Sequence, residues 1–409
     1  MPVDQEISVI HINTASTWRG GEQQVLYLAK YLQSQANVRQ MIVGRKNSAM
    51  QDRCNQASIR FVGFGMRSEV DLYSVWQLIQ LVKKEKIRIL HAHTAKAHSI
   101  GLLAMKLGAL SKIGVKFIVS RRVDFNVAKS YFSRLKYHSP LIHRYIAISK
   151  NVQQIMIENG IPDSRISIAY SGIDTLKFKV LPNPTKLRQE FNLQPNTLIL
   201  GNVAALVDHK DQQTLLKAAA ILKNEWQKNS NSIKKKKNNS RINANNKIES
   251  RLNHLDALPN WKLFIVGEGE LKTKLLDLHQ SLNLEDWVIF TGFRTEIPAF
   301  LSLFDIFVMS SKEEGLGTSV IDAMAAGLPV VSTDGGGLTE LVVHQKGGLV
   351  SKAQDAEQLA ANLKEAILSP KDCSEWARFN QKQAKKFDYH QTGQRNLEIY
   401  NQVLFDSNT

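Results

Sequence analysis

The stretch Ser310-Ser-Lys-Glu-Glu-Gly-Leu-Gly-Thr-Ser-Val-Ile-Asp-Ala-Met-Ala-Ala-Gly-Leu-Pro-Val-Val-Ser-Thr-Asp-Gly-Gly-Gly337 decides the fold. It predicts the end of a strand, a turn with two glycines, a helix that begins near Gly317 or Thr318, a Gly-Pro break, a second strand and a glycine-rich loop. Glu314 lies just before the predicted helix, and Asp322 follows eight residues later. Because a helix start presents free backbone N–H groups and the positive end of the helix dipole, it favours a phosphate. A phosphate site beside two carboxylates indicates a phosphorylated ligand that also carries hydroxyls, such as a nucleotide sugar.

The composition is typical of a globular chain with two domains. Its 409 residues are too many for one ordinary core, and 43% of them are hydrophobic, which is enough for two. No apolar run reaches the length of a membrane span, and the chain does not open with the charged and apolar regions of a secretion signal. Cys54 and Cys373 lie far apart, without the spacing of a metal site. These features predict a protein of the reducing cytosol in which both cysteines are structural.

The positive charge is concentrated in the first half of the chain. The net charge is +16, and residues 1–180 carry 26 lysines and arginines against 11 acidic residues, whereas residues 181–409 carry 27 against 26. Nucleic acid, an anionic membrane surface and an anionic acceptor are the partners that such a charge favours. Because no basic motif interleaved with aromatic residues occurs, we do not expect nucleic acid.

Short apolar strands alternate with amphipathic helices in two series, which indicates two parallel sheets covered by helices. The loosened pattern of Ser171–Pro195 predicts the connection between a domain of residues 1–180 and a domain of residues 181–385. Residues 386–409 are predicted as a C-terminal helix that packs back on the first domain. The predicted strands are Ile7–Asn13, Gln40–Val43, Arg88–Ala92, Lys116–Ser120, Tyr145–Ile148 and Arg165–Ala169, then Leu198–Ala204, Trp261–Val266, Val288–Thr291, Asp305–Ser310 and Leu328–Ser332.

Residues 228–251 interrupt the second series. They contain Lys234-Lys-Lys-Lys237 among asparagines and serines, with almost no large apolar residue. Such a composition does not bury enough surface to order itself, so a basic low-complexity loop is predicted. Two interpretations stay open, a tolerated surface insertion or a basic tether for an anionic lipid or polymer.

The opening stretch resembles the signature of the retaining glycosyltransferases of family 4 (GT4), of the bacterial cell-envelope type. That signature is a glutamate, seven residues, a second glutamate, a helix and a strand that begins Ala-Gly-x-Pro-Val. Glu314 matches the first glutamate, Asp322 takes the place of the second, and Ala326-Gly-Leu-Pro-Val330 matches the strand. The resemblance implies the GT-B fold, in which two Rossmann-like domains with parallel sheets face a central cleft. It also implies that the C-terminal domain binds the nucleotide sugar and the N-terminal domain binds the acceptor.

The resemblance extends over nearly the whole chain. Trp18-Arg-Gly-Gly-Glu22 resembles the loop that approaches the donor phosphate, and Lys210 matches the lysine that neutralises the donor diphosphate. Thr291-Gly-Phe-Arg-Thr295 resembles the loop that borders the base, and many members carry an arginine where this chain has Ala205. The donor-binding residues that the resemblance implies are Gly20, Gly21, Lys210, Gly267, Arg294, Gly315, Leu316, Gly317, Thr318 and Asp322.

Four residues are candidates for catalysis. Glu314 is expected to bind sugar hydroxyls and to stabilise positive charge at the reacting carbon. His93, in His91-Ala-His93, is expected to line the cleft, and a metal site at the two histidines is the alternative interpretation. Arg122 takes the position of a histidine that related enzymes place at the next strand end, with Asp124 in reach of the substrate. A plain surface ion pair of Arg122 and Asp124 is the other interpretation.

The resemblance implies a retaining hexosyltransferase, for which we expect no cofactor. Because no Asp-x-Asp motif lies near a strand end, we also expect it to need no metal ion. The donor is a nucleotide sugar, by family frequency a UDP-sugar, and the acceptor is a lipid-linked or envelope glycan such as lipopolysaccharide. A basic acceptor domain without a membrane span predicts a cytoplasmic enzyme, peripheral on the inner face of the cytoplasmic membrane. Transfer to a soluble sugar or sugar phosphate is the alternative, and a nucleotide-sugar epimerase or a phosphorylase of the same architecture is another class.

Overall fold

The computed structural model describes residues 6–123, 131–237 and 259–405. The chain forms two compact units, of which the first contains Met1–Ile173 together with Phe387–Thr409, and the second contains Asp174–Lys386. Each unit is a Rossmann-like α/β unit built on one parallel sheet. The chain passes into the second unit after Ile173, within the segment predicted as the connection.

The first unit is built on a seven-stranded sheet. Its strands are β1 (Ile7–Asn13), β2 (Val38–Arg45), β3 (Phe61–Phe64), β4 (Ile89–Ala92), β5 (Lys116–Arg121), β6 (Arg144–Ala147) and β7 (Ile166–Ile168), in the order β3-β2-β1-β4-β5-β6-β7. Its helices are α1 (Gly20–Gln33), α2 (Ala49–Gln56), α3 (Leu72–Lys84), α4 (Ala95–Leu107), α5 (Tyr131–Tyr137), α6 (Lys150–Glu158) and the C-terminal helix Tyr389–Phe405.

The core of the first unit lies between the sheet and the helices. Every residue of β1 is buried, as expected for a parallel strand covered on both faces. Helix α1 places buried residues such as Leu28 and Leu32 at helical spacing toward the sheet. The C-terminal helix packs on α1 and adds Ile399 and Tyr400 to the same hydrophobic cluster. The last helix of the chain therefore completes the core of the first unit.

The second unit is built on a six-stranded sheet. Its strands are β8 (Leu198–Val203), β9 (Trp261–Val266), β10 (Val288–Gly292), β11 (Ile306–Met309), β12 (Val330–Thr333) and β13 (Gly348–Ser351), in the order β10-β9-β8-β11-β12-β13. Its helices are α7 (Thr185–Glu190), α8 (Gln212–Lys237), α9 (Lys272–Ser281), α10 (Ile297–Leu303), α11 (Thr318–Ala325), α12 (Ala356–Ile367) and α13 (Pro370–Ala384).

Each sheet has a point at which the direction of strand addition reverses. In the first unit, β1 lies between β2 and β4, and in the second unit β8 lies between β9 and β11. The connections that follow β1 and β4 in the first unit, and β8 and β11 in the second, leave toward opposite faces of their sheet. This leaves a crevice at their carboxyl ends, which is where open parallel sheets bind ligands. The topology thus marks one edge in each unit as the place for a site.

The structure differs from the sequence prediction at three elements. The pattern does not predict β3 or β13, because both are edge strands of four residues and are too short to show a period. Helix α8 continues to Lys237, so the prediction of a loop is wrong for residues 228–237. Lysine is a good helix former, and these residues extend a helix that is already nucleated. Residues 238–251 of the predicted insert lie outside the described residues.

Candidate active site

The carboxyl edge of the second sheet brings Lys210 and Glu314 together. Lys210 ends a short turn that follows β8, and Glu314 lies in the loop that follows β11. The Lys210 ammonium forms an ion pair and a hydrogen bond with Glu314 Oε2. The side chains of Lys210 and Glu314 are 16% and 13% exposed, so the pair is largely shielded yet still accessible to a ligand. A cation and a carboxylate therefore meet at the point where this sheet reverses.

Hydrogen bonds join the loops around this ion pair. Ser310 Oγ donates to the Lys210 carbonyl oxygen at 3.0 Å, and Ser311 Oγ donates to Glu314 Oε2 at 3.4 Å. The Thr333 hydroxyl, at the end of β12, donates to the Ser311 carbonyl oxygen. Ser310 and Ser311 are fully buried. The loops after β8 and β11 and the end of β12 therefore form one frame that holds Glu314 in place.

The glycine-rich loop after β12 lies against this frame without room for side chains. A Cβ atom on Gly335 would lie 2.1 Å from the Ser311 carbonyl oxygen, and a Cβ atom on Gly337 would lie 2.5 Å from the Gly315 carbonyl oxygen. The Gly337 N–H donates to the Glu314 carbonyl oxygen at 2.7 Å. Glycine is therefore required at both positions by the approach of two backbones.

Helix α11 begins beside the frame with an amino end that no side chain caps. Its N-cap residue is Gly317, which has φ +97° and no side-chain hydrogen bond. Few residues other than glycine adopt this φ without strain. The first helical residue is Thr318, which is half-buried. The first N–H groups and the positive end of the helix dipole are thus available to an anion.

Asp322 lies one turn further along α11. Burial raises the pKa of its carboxyl to about 7, although the positive charge of Lys177 opposes the rise. The turn Thr175–Phe178, which carries Lys177, contacts α11. Hydroxyl groups that donate to the carboxylate would favour its charged form. A sugar diol is such a donor, so the position suits a ribose.

The loop after β9 packs on the loop after β8. Gly267 has φ +149°, and a Cβ atom on it would lie 2.0 Å from the Ala204 carbonyl oxygen. A Cβ atom on Gly269 would lie 2.3 Å from the Leu206 carbonyl oxygen. The Leu206 N–H also donates to the Glu268 carbonyl oxygen at 3.0 Å. The Gly-x-Gly motif therefore shapes the loop that leads to Lys210, and its glycines are required by protein backbone.

In the first unit, Arg122 and His93 meet at the carboxyl edge of the sheet. Arg122 follows β5, His93 follows β4, and Gly20 and Gly21 open α1 after β1. A Cβ atom on Gly21 would lie 3.9 Å from Arg122 Cδ. The guanidinium donates from Nη2 to His93 Nδ1 at 3.3 Å. Burial lowers the pKa of Arg122 to about 10, and the negative charge of Glu22 opposes this shift, so the side chain stays charged at neutral pH.

His11, His91 and His93 form a buried cluster whose nitrogen atoms lie within 4.8 Å of one another. Three histidines at this separation are a set that zinc accepts. Burial lowers the pKa of His11 to about 3, and it lowers the pKa values of His91 and His93 well below the ordinary value. The neighbouring charge of Arg122 acts in the same direction on all three. The rings are therefore neutral at pH 7.

Hydrogen bonds engage both ring nitrogens of His91 and His93 and the Nδ1 of His11, and they leave His11 Nε2 as the one nitrogen of the three rings without a partner in the described part of the chain. Because the guanidinium donates to His93 Nδ1, the neutral ring carries its proton on Nε2 and donates it to His11 Nδ1 at 3.0 Å. His91 bonds the Tyr400 hydroxyl at 2.6 Å and Ser120 Oγ at 2.7 Å. A metal ion would have to displace these partners and lie close to a guanidinium. We therefore interpret the cluster as a hydrogen-bonded chain.

Two family models match the sequence. The model described as "Glycosyl transferases group 1" matches residues 183–383, and the model described as "Glycosyltransferase Family 4" matches residues 18–177. The chain belongs to glycosyltransferase family 4. The first model matches most of the unit with the Lys210–Glu314 pair. The second matches the part of the other unit that contains His91 and His93, and it begins after His11.

Curated relatives of this family 4 glycosyltransferase carry the same activity in their names. A UDP-Gal:alpha-D-GlcNAc-diphosphoundecaprenol alpha-1,3-galactosyltransferase of Escherichia coli is 24% identical over 70% of this chain and 68% of its own length. The amylovoran biosynthesis glycosyltransferase AmsK of Erwinia amylovora is 28% identical over 64% of this chain and 58% of its own length. The matched region thus spans more than half of each relative.

Solved structures of similar proteins show the GT-B fold. A glycosyltransferase from Rickettsia africae ESF-5 superimposes with a TM-score of 0.80 at 18% identity, over 99% of this chain and 100% of that chain. HepE from Anabaena, in complex with UDP and glucose, superimposes with a TM-score of 0.76 at 20% identity, over 96% of this chain and 99% of that chain. The family 4 chain therefore has this fold, as its sequence motifs predict.

The structure places the donor-binding residues implied for this family 4 enzyme in several different surroundings. Lys210 contacts the loop that carries Glu314 and Gly315, and α11 begins there at Thr318. Leu316 lies in the same loop with a buried side chain, so only its backbone is available to a ligand.

Arg294 belongs to different surroundings. Its guanidinium pairs with Glu190 and with Glu296, the latter at 3.3 Å, and lies over the ring of Phe191. No contact between Arg294 and Lys210 or Glu314 is present among the described residues. These contacts hold the Arg294 guanidinium near α7, and its role toward the donor stays a prediction.

Several residues of the two sites have no signal in the sequence. His11 lies inside β1, and Tyr400 lies on the C-terminal helix, so their meeting with His91 follows only from the fold. Ser311 stands in the diagnostic stretch, but nothing in its spacing marks it as a partner of Glu314. Asp124, a predicted catalytic residue, lies outside the described residues.

No helix within the three described ranges combines the length and the apolar character that crossing a bilayer requires.

Proposed function

We propose that this family 4 glycosyltransferase moves a hexose from a UDP-sugar, with retention of configuration, to a lipid-linked or envelope glycan. The observation that carries the proposal is the ion pair of Lys210 and Glu314 at the reversal point of the second sheet. It lies beside the uncapped start of α11. A lysine, a helix start and a carboxylate are together suited to a ligand with both phosphates and hydroxyls.

The donor diphosphate is expected to bind the amino end of α11 and the Lys210 ammonium. There it competes with Glu314 for the same cation, since the two side chains already contact each other. Binding then frees the Glu314 carboxylate for the sugar hydroxyls. Asp322, further along α11, accepts hydrogen bonds from the ribose. Because its side chain is one methylene shorter than the family's glutamate, the same charge lies closer to the backbone of α11.

Transfer proceeds as the bond between the anomeric carbon and the phosphate lengthens. Positive charge develops on the sugar and negative charge on the departing diphosphate. Lys210 and the dipole of α11 stabilise the departing charge, and a preorganised donor of this kind contributes about 3 kcal/mol to transition-state stabilisation. The acceptor oxygen bonds to the anomeric carbon on the face that the diphosphate leaves, and its proton passes to the departing phosphate, so the configuration is retained. Glu314 stabilises the positive centre without attacking it. Because these groups act on the diphosphate, the reaction is proposed to need no metal ion.

The acceptor is proposed to bind the first unit, at the edge that carries His93 and Arg122. Residues 1–180 hold 26 lysines and arginines against 11 acidic residues, which favours an anionic acceptor such as a diphosphate-linked lipid or a lipopolysaccharide. The names of the relatives from E. coli and E. amylovora support an envelope glycan. The same charge supports a peripheral position on an anionic, cytoplasmic membrane face.

A small soluble acceptor is the second candidate. It is favoured by a relative from Bacillus anthracis named N-acetyl-alpha-D-glucosaminyl L-malate synthase, which is 24% identical over 71% of this chain and 68% of its own length. Transfer from a labelled donor to extracted membrane lipid, compared with transfer to soluble acids and sugar phosphates, distinguishes the two.

The test of the donor site is thermal unfolding in the presence of UDP, GDP, ADP, CMP and their sugars. A nucleotide at about 100 times its Kd stabilises the unit that binds it by ~2.7 kcal/mol. We expect this shift with UDP and UDP-sugars and not with the other nucleotides. Glu314→Gln should keep the UDP shift and lose transfer. The configuration of the product follows from the anomeric signals in its NMR spectrum. If no nucleotide shifts the transition, the donor site is wrong, and an inverted product would contradict retention.

A further inference from the structure

The first unit exposes an apolar patch outside the sites described above. Val70 is 68% exposed, Leu72 63%, Tyr73 67% and Trp76 55%. The rings of Tyr73 and Trp76 stack with their centroids 5.9 Å apart. We call these four residues the α3 patch. Large apolar side chains gathered on one surface mark a contact site for a partner.

The exposed face of helix α3 carries aromatic residues at its start and lysines at its end. Its buried face carries Val75, Leu78 and Val82, which pack into the unit. Its solvent face begins with the aromatic residues of the patch and ends with Lys83 and Lys84, both exposed. The helix is therefore amphipathic, with an aromatic start and a basic end on the side that the unit leaves uncovered.

The acidic residues next to the patch already have partners. Asp71 caps α3 by accepting hydrogen bonds from the backbone and the hydroxyl of Ser74, at 3.0 and 2.9 Å. Glu69 lies 3.8 Å from Lys136 and accepts a hydrogen bond from Ser99. The local field is thus dominated by the lysines of α3, within a half of the chain that is itself strongly basic.

A shallow hollow connects the two halves of this face. Its volume is about 330 Å³, and Trp76 and Lys84 form parts of its wall. Leu81 contributes an apolar surface, and Gln77 and Gln80 contribute amide groups. A group with an apolar stem and an anionic head fits this combination.

We propose that the α3 patch docks the first unit on an anionic lipid bilayer. This rests on the proposed function, in which the acceptor is carried by a lipid, and it identifies the surface that brings the enzyme to that acceptor. Tyr and Trp favour the level of the lipid headgroups, where one end of the ring is apolar and the other is wet. Each lysine near an anionic surface raises the partition coefficient by about fivefold. A second copy of the chain fits less well, because its own α3 lysines would face those of the first.

The experiment is sedimentation of the purified chain with vesicles of phosphatidylcholine alone, or with one third of it replaced by phosphatidylglycerol. We expect binding to the anionic vesicles only. Tyr73→Ser/Trp76→Ser should lower the partition coefficient by at least about tenfold, because both rings leave the interface. Lys83→Gln/Lys84→Gln should weaken binding and reduce its dependence on salt. Val180→Ser removes an apolar side chain that is 83% exposed in the second unit, and this control should bind like the wild type.

The proposal is overturned if the wild type binds neither kind of vesicle, or if Tyr73→Ser/Trp76→Ser binds the anionic vesicles as well as the wild type. It is also overturned if that variant changes a dimer into a monomer and keeps its vesicle binding, since the patch would then cover a second copy. The unfolding transition of the first unit, followed on the same samples, shows that the variants are folded, and the UDP-induced thermal shift reports on the second unit. Vesicle binding without a nucleotide shift would count against the donor site alone, and a nucleotide shift without vesicle binding would count against docking alone.

Discussion

Replacing Lys210 by methionine separates the structural role of its ion pair with Glu314 from its role toward the donor. Two unit charges 4 Å apart attract each other by about 4 kcal/mol at an effective dielectric constant of about 20. The two side chains are 16% and 13% exposed, and Ser311 Oγ still donates to the carboxylate at 3.4 Å, so part of this energy is screened or replaced. We therefore expect Lys210→Met to reduce the free energy of unfolding of the second unit by about 2 kcal/mol.

The double variant Lys210→Met/Glu314→Gln tests this reasoning. Removing both charges relieves the unpaired carboxylate, so we expect recovery of about 1 kcal/mol or more relative to Lys210→Met. Donor binding should not recover. Both variants should bind UDP about 10- to 100-fold more weakly, because the diphosphate loses a charge-assisted contact. Lys272→Met is the matched control, since its pair with Glu268 is 46% and 40% exposed, and it should cost at most about 0.5 kcal/mol.

The assay is thermal unfolding combined with titration of UDP. A chain of two units does not unfold as a single two-state system, so the transition that UDP stabilises is the one to follow. If Lys210→Met is as stable as the wild type, the pair contributes nothing to the second unit. If the double variant binds UDP like the wild type, Lys210 serves only to hold Glu314, and its role at the diphosphate is refuted.

Three further predictions concern pH, backbone packing and the histidine cluster. Affinity for a UDP-sugar, whose diphosphate does not titrate in this range, should rise between about pH 6 and 8, because the Asp322 carboxyl, with a pKa of about 7, accepts ribose hydroxyls best when ionised. Asp322→Asn should bind more weakly with a flat profile, and an unchanged profile would contradict this. Without nucleotide the sign reverses: the folded state holds this proton more tightly than the unfolded chain, so its contribution to the free energy of unfolding is lost as pH rises from about 4 through about 7. Gly267→Ala should destabilise the second unit by at least about 2 kcal/mol, since its Cβ would lie 2.0 Å from the Ala204 carbonyl oxygen. Gly21→Ala is the control and should leave the melting temperature unchanged. If Gly267→Ala melts at the same temperature as the wild type, the close approach at Gly267 is contradicted. In an NMR titration, His11 should stay neutral to about pH 4 because burial lowers its pKa to about 3, and a midpoint near the ordinary value would show that the cluster is open to water.

The sequence predicts where the elements that carry Lys210 and Glu314 lie, because both residues are local to strand ends. The diagnostic stretch carries its own strand, turn and helix start, and the helix does begin at Thr318. Lys210 follows another predicted strand, and parallel strands bring their carboxyl ends to one edge. The alternation of strands and helices is therefore enough to place Lys210 and Glu314 at the same edge of the sheet.

The features that the sequence does not predict depend on contacts between distant residues. His91 meets Tyr400 across 309 positions, and no periodic pattern marks either one. Arg294 pairs with Glu190, which lies 104 positions away on α7, and nothing in its own motif marks this partner. The lysine run at 234–237 is polar enough for a loop, but it continues a helix that began 22 residues earlier at Gln212. Tertiary partners decide each of these cases.

The C-terminal helix completes the core of the first unit with residues that are synthesised after the whole second unit. Ile399, Tyr400 and Val403 share one hydrophobic cluster with Ile7 and Val9. The ribosome must therefore release the whole second unit before the first unit can bury this face. The second unit is complete in sequence earlier, which reverses the usual order in which domains mature during translation. A chain that stops before the C-terminal helix would present the cell's chaperones and proteases with an unfinished first unit beside a finished second one.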